Sequence, residues 1–224
     1  MVRVKICGIR RAEDAAAAVE AGANLLGFNF WKGTPRYISP LDVARIVASL
    51  PKGITTVGVF VNEPLESVIE IARESGVSML QFHGNESPKY WERLASFQRI
   101  KAFKVSADFQ ASELNRYPSA AAFLLDGAVE GQWGGTGRTF DWSLAEKAKE
   151  FGNVILAGGL HAGNVAEAVR CVRPWGVDVA SGIESEPGKK DPQLIRRFIG
   201  AVREAEAAES AVENQVRQGT VKVK

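Results

Sequence analysis

The sequence predicts an α/β protein: a single (β/α)8 TIM barrel of eight parallel strands, each followed by a helix, with a short extra C-terminal tail. Three observations lead there. Short apolar runs alternate with longer amphipathic ones, eight times within roughly 205 residues. The short runs are near-continuous in Val, Ile and Leu, as parallel strands covered on both faces must be. No glycine-rich dinucleotide fingerprint follows the first strand, and a count of eight favours closure over an open doubly wound sheet. The chain has 224 residues, 46% of them hydrophobic, enough for one sizeable core.

The elements follow in order. Residues 2–8 read as a strand that stops at Gly8. Residues 12–21 are Ala-rich with acidic residues at the start, a helix ended by Gly22. Residues 24–30 form the second strand. Ser39-Pro40 opens the next helix, Ser39 as N-cap and Pro40 at the first helical position, running to about Leu50. Strands follow at 55–61, 78–82, 99–105, 121–125, 154–157 and 177–180. Between them lie helices at 64–74, 87–95, 112–116 (the weakest), 142–151 and 164–172. Asp191-Pro192 caps a last helix to about Ala207. The barrel domain is thus 1–207, and the polar segment 208–224 reads as a frayed helical extension or a loose tail.

Composition narrows the function classes. With 28 basic and 26 acidic residues the formal net charge is +2, so there is no electrostatic reason to expect nucleic acid or an anionic membrane as partner. Cys7 and Cys171 form no disulfide framework and read as reduced thiols in a cytoplasmic protein. His83 and His161 lie in no zinc-ligand spacing, so no metal site is expected. No signal peptide is read at the N-terminus, and no run is long enough to span a membrane.

In such barrels chemistry sits at the carboxyl ends of the strands. Cys7 ends the first strand, where a thiol can act as base or nucleophile. Asp126 follows the apolar run 123–125. It is either a carboxylate bonding the turn at Gly127 or, opposite a thiol, half of an acid–base pair. Gly158-Gly159 and Ser181-Gly182 follow strands seven and eight, the usual place for a phosphate held by backbone N–H groups. Arg36, in the second loop and on the far side of the mouth from that cradle, is either a solvated surface residue or a grip for a carboxylate. Asp178 lies within an apolar strand and needs a partner. Alternation puts Lys5 on the face of Cys7, where two roles are open: lowering the thiol pKa, or pairing with Asp178. His83 stands at the end of the fourth strand, placed for substrate contact. Residues 131–139 look like a nucleotide P-loop but lack its first glycine, Gln132 standing there, and carry Arg138 for the lysine. They read instead as a glycine-rich loop that closes over the site.

The segments Lys5-Ile6-Cys7-Gly8-Ile9, Val57-Gly58-Val59-Phe60-Val61-Asn62, Gln81-Phe82-His83-Gly84, Leu125-Asp126 and Gly134-Gly135-Thr136-Gly137 with Phe140-Asp141-Trp142 form a series. Leu156-Ala157-Gly158-Gly159-Leu160 and Asp178-Val179-Ala180-Ser181-Gly182-Ile183-Glu184, with Pro187-Gly188-Lys189-Lys190-Asp191, complete it. Together, over about residues 2–205, they resemble the phosphoribosylanthranilate isomerase family of tryptophan biosynthesis. The proline usual after the Ala-Gly-Gly-Leu segment is absent from His161-Ala162. The resemblance implies an Amadori rearrangement of N-(5-phosphoribosyl)anthranilate without metal or cofactor. It implies Asp126 as general acid, Cys7 as general base, Arg36 on the anthranilate carboxylate and the two glycine loops on the phosphate. His83 and Asp178 complete the expected substrate contacts, and the protein is expected to be a monomer or homodimer.

Two rivals stand beside this expectation. The histidine-pathway aminoaldose isomerase, alone or as a dual-substrate enzyme, resembles it but has an aspartate where Cys7 stands. It also needs a second phosphate cradle, and Val61-Asn62-Glu63 after the third strand suits phosphate poorly. A non-catalytic phosphate-binding barrel is the other, and the joint presence of Cys7 and Asp126 argues against it.

Overall fold

The computed structural model describes residues 1–106, 108–127 and 141–217, with side chains to residue 211. The barrel strands are β1 (Arg3–Cys7), β2 (Leu25–Asn29), β3 (Thr55–Phe60), β4 (Met79–Phe82), β5 (Gln98–Val105), β6 (Ala122–Gly127), β7 (Val154–Ala157) and β8 (Gly176–Val179). They pair in sequence order, all parallel, and β8 returns to β1 to close the barrel. Outside them pack α1 (Ala12–Glu20), α2 (Pro40–Ser49), α3 (Leu65–Ser75), α4 (Pro88–Glu92), α5 (Ser143–Ala148), α6 (Val165–Val172) and, last in the chain, α7 (Pro192–Arg217). The loop of residues 131–139 lies outside the described residues.

Strand alternation divides the core in two. Leu25, Val57, Ile100, Leu124 and Ile155 fill the barrel interior, and a larger cluster including Ile6, Leu26, Phe60, Leu80 and Phe198 lies between sheet and helices. The expected caps are present. The Ser39 hydroxyl accepts from the Asp42 amide at 3.2 Å, and Asp191 Oδ1 from the Gln193 amide at 2.7 Å. Gly76 closes α3 in the left-handed region at φ 69°.

Several boundaries differ from expectation, each for a local reason. The helix expected over 87–95 stops at Glu92, because Leu94 and Ala95 bond three residues back, to Trp91 and Glu92, and tighten the turn. Buried Arg99 also donates to the Trp91 carbonyl, holding it in that turn. The weak helix at 112–116 is a 3-10 turn, Ala111–Arg116, and α5 gives way to another at Lys149–Phe151. Strand β6 runs on through Gly127, since Asp126 pairs with both Lys104 and Ala157, so Asp126 sits within the sheet rather than after it.

Two further differences concern the C-terminal quarter. The chain after β8 forms a hairpin, β9 (Glu184–Glu186) and β10 (Lys189–Lys190), turned by Gly188 at φ 81°. Helix α7 continues ten residues past Ala207. Just before that point Arg203 donates to the Val2 carbonyl at 2.8 Å and Glu206 accepts from the Val2 amide, and within the extension Glu209 accepts from Arg173 at 3.2 Å. No described helix is long and apolar enough to cross a membrane.

Candidate active site

The carboxyl ends of the strands open on one cavity lined by Cys7, Arg36, Gln81, His83, Asp126 and Asp178. Six residues from five different elements converge there because each sits at the last inward position of its strand or in the loop beyond it.

Cys7 projects inward two residues after Lys5, and Gly27 opposite it on β2 makes room. A Cβ on Gly27 would lie 3.0 Å from Cys7 Sγ and 3.1 Å from Lys5 Nζ. Lys5, 1% exposed, donates to Asp178 Oδ1 at 2.8 Å across the β1–β8 ladder. Burial, the largest single influence, would lower the Lys5 pKa, but Asp178 and Cys7 together outweigh it, the pKa is raised and the ammonium is held. Lys5 therefore takes both roles left open by the sequence: it pairs with Asp178 and also draws the Cys7 thiol pKa down. Burial pushes the Cys7 thiol above the usual thiol range. Lys5 and Lys190 pull it down, and Asp178 pushes it up.

Asp126, 4% exposed, faces the cavity from β6. Its Oδ2 stands 3.4 Å from His83 Nε2, and its Oδ1 has no hydrogen-bond partner among the described residues. The Gln81 amide lies 3.3 Å from His83 Nδ1. A donor there puts the ring proton on Nε2, toward Asp126. Gly158 (φ 79°) lies against the carboxylate, since a Cβ on it would come within 2.5 Å of Asp126 Oδ1.

The two glycine loops are side by side. A Cβ on Gly182 would lie 2.1 Å from the Leu160 carbonyl, so only glycine lets the loop after β8 approach the loop after β7 so closely. Asn164, at the start of α6, braces the first loop by donating to the Gly159 carbonyl at 2.9 Å and accepting from the His161 amide at 2.8 Å. Ser181 opens the turn Ser181–Ile183 beyond β8.

Arg36 is not across the mouth from this cradle. Closure of β8 onto β1 puts the loop after β2 only two strands from it, and Arg36 grips Glu184, two residues past Gly182. Nε bonds Oε1 at 2.8 Å and Nη2 bonds Oε2 at 2.7 Å. Lys190 Nζ, fully buried, donates to the same carboxylate at 2.8 Å and to the Ala180 carbonyl at 3.0 Å. Burial of Glu184 would raise its pKa, but the Arg36 bond and Lys190 outweigh it, and the carboxylate is held below its usual range. Sequence reasoning assigns no role to Glu184, Lys190, Gln81 or Asn164. Glu184, Lys190 and Gln81 do stand in the segments that carry the family resemblance, and Glu184 lies just beyond the cradle.

The match to known proteins is continuous over the barrel. The family model described as N-(5'phosphoribosyl)anthranilate (PRA) isomerase matches residues 4–201. This chain belongs to that family. It is therefore an enzyme, an isomerase of tryptophan biosynthesis. The N-(5'-phosphoribosyl)anthranilate isomerase of Geobacter metallireducens is 48% identical over 201 residues, covering 89% of this chain and 98% of the relative. The phosphoribosyl anthranilate isomerase crystal structure from Thermotoga maritima superposes with a TM-score of 0.85 at 40% identity, covering 91% of this chain and all of that one. A further phosphoribosyl anthranilate isomerase structure, in complex with reduced 1-(o-carboxyphenylamino)-1-deoxyribulose 5-phosphate, has a TM-score of 0.82 at 39% identity, with coverage of 91% and 100%.

Proposed function

We propose that the chain converts N-(5'-phosphoribosyl)anthranilate to 1-(2-carboxyphenylamino)-1-deoxyribulose 5-phosphate, with Asp126 as general acid and Cys7 as general base. The observation that carries the assignment is the placing of a thiol and a carboxyl in one cavity, with Arg36 beside the thiol and the glycine loops beside the carboxyl.

Asp126 gives its proton to the ribose ring oxygen, and the C1–O bond breaks to leave an open-chain protonated Schiff base. The Cys7 thiolate then takes the proton from C2, and the C2–H electron pair moves to form the enolamine. The enolamine tautomerises to the ketone, and the cycle closes when the thiol proton returns to Asp126 through solvent. Acid and base of different chemical type suit this sequence, since one must start protonated and the other ionised. Lys5, Lys190 and Arg36 are the cations that favour the Cys7 thiolate.

The phosphate is read onto the amides of Gly158, Gly159, Ser181 and Gly182, where glycine keeps the backbone open to close approach. Arg36 receives the anthranilate carboxylate, and His83 and Asp178 line the space for the sugar. The site asks for a small phosphorylated aminosugar, in a cytoplasmic protein acting as monomer or homodimer. One related Thermotoga maritima structure is described as monomers generated from a dimeric protein.

The test is a paired steady-state assay of the purified protein on the anthranilate substrate and on the bis-phosphorylated histidine-pathway substrate. Turnover of the first alone is expected. Turnover of neither would sink the reading, and turnover of both would replace it with a dual-pathway enzyme.

A further inference from the structure

The loop after β8 does more than approach the cradle: its hairpin carries a carboxylate that holds the arginine of the neighbouring subsite. Glu184 is the first residue of β9 and Lys190 the last of β10, so the hairpin brings the two together at 2.8 Å. Both are buried, and Arg36 closes the cluster from the loop after β2 with 15% of its side chain exposed to the cavity.

The geometry of the grip matters. Glu184 takes Nε–H and one Nη2–H, the side-on edge of the guanidinium. The end-on edge, made of Nη1 and the second Nη2 proton, remains, and Nη1 donates to no acceptor among the described residues. A planar fork can serve two carboxylates at once when one is side-on and the other end-on. The stem is fixed as well. It crosses Gly8 so closely that a Cβ there would lie 2.6 Å from Arg36 Cδ, which ties the arginine to the residue next to Cys7. Two cations share the one anion Glu184, so the cluster carries a net positive charge that both the Cys7 thiolate and an incoming anionic group can draw on.

We propose that Glu184, compensated by Lys190, is a positioning residue for substrate recognition. It locks Arg36 side-on so that the end-on edge of its guanidinium is presented to the substrate carboxylate. This rests on the reading of Arg36 given under Proposed function. It also couples the subsites, because Glu184 and the cradle residues Ser181 and Gly182 belong to one short segment.

The experiment compares N-(5'-phosphoribosyl)anthranilate with the aniline analogue that lacks the carboxylate, on wild type, Glu184→Gln, Lys190→Met and Arg36→Met. Thermal melting is recorded for each. Wild type turning over the anthranilate substrate establishes the functional reading independently of the inference. Glu184→Gln is then expected to raise KM for the carboxylated substrate about 10- to 100-fold with kcat little changed. For the aniline analogue its KM should stay within about twofold of wild type. Lys190→Met should raise KM for the carboxylated substrate more weakly and, because it also removes a cation that favours the Cys7 thiolate, lower kcat on both substrates. In Glu184→Gln, an equal KM rise on both substrates, or a fall in kcat with KM intact, overturns the positioning role. A wild-type KM in Arg36→Met overturns it at its premise while leaving the isomerase reading standing. Should Glu184→Gln melt below the assay temperature, Glu184→Asp replaces it: the charge is kept, the reach shortened, and the same substrate-dependent split is required.

Discussion

On the β8–β1–β2 side of the mouth, Lys5 is paired with Asp178, and Glu184 with both Arg36 and Lys190. On the β4–β6 side, Gln81 Oε1, His83 Nε2 and Asp126 Oδ1 are buried and have no hydrogen-bond partner among the described residues. Asn29 Oδ1, at the end of β2 on the outer edge of the first side, is a fourth such atom, so the first side is compensated in its charges rather than in every polar atom. The first side is a fixed field of compensated charges around the thiol. The second holds polar atoms whose bonds are unmade, each at a cost of roughly 1–3 kcal/mol. The contrast fits the two chemical duties. A thiolate needs cations already in place when it forms. A proton donor needs a free edge toward the oxygen it will protonate, and a fully bonded carboxylate has none.

The largest expected effects come from removing the two reacting groups. Asp126→Asn keeps the shape of the open side but has no proton to give. Cys7→Ser keeps the compensated field but replaces the thiol with an alcohol that stays protonated. Each should lower kcat by about 10²–10⁴ and change KM far less. Steady-state kinetics on the anthranilate substrate decides it, and wild-type rates in either variant would remove that group from the mechanism. Both substitutions are small in volume, so neither should shift the melting temperature greatly.

The next prediction strikes the compensated side. Lys5→Met leaves Asp178 buried without its counterion, a loss of about 3–5 kcal/mol in urea denaturation. It also removes a cation that favours the thiolate. The Cys7 pKa is already above the usual range, chiefly through burial, so the rate should climb with pH as the thiolate forms. Removing Lys5 pushes the thiol further up, so that rising limb should move to higher pH. Asp178→Asn removes a neighbouring negative charge and should move the limb the opposite way. The pH dependence of kcat/KM for the two variants, or of Cys7 alkylation, checks the sign. Shifts in the same direction would mean the pair does not set the thiol charge.

The sequence told much of this, unevenly. The switch between strand and helix periods is local, so all eight barrel strands were legible, as were Ser39 and Asp191 as caps. Cys7 and Asp126 were legible because strand ends in such a barrel face the mouth. What the sequence hid depends on closure. Arg36 and Glu184 are 148 residues apart and meet only because β8 returns to β1. The hairpin of β9 and β10 is too short to carry a period, and α4 is cut short by contacts at Trp91 that include Arg99 on the next strand. That Lys5 would pair with Asp178 depended on which residue of β8 stands beside it, which is register and not pattern.

The smallest prediction tests the open side in the direction opposite to Lys5→Met. Gln81 is 1% exposed; its amide lies 3.3 Å from His83 Nδ1 and its Oε1 bonds nothing among the described residues. Gln81→Leu removes an unmet acceptor together with one neutral bond. Burying an apolar side chain of similar size should raise stability by about 1 kcal/mol. The same change frees the His83 ring to turn and so loosens the face presented to Asp126, which should lower kcat by less than about tenfold. A protein that becomes more stable while becoming slower is the signature of polar atoms kept for a substrate. If Gln81→Leu instead destabilises the fold as Lys5→Met does, the open side is a structural network, and the contrast between the two halves of the mouth disappears.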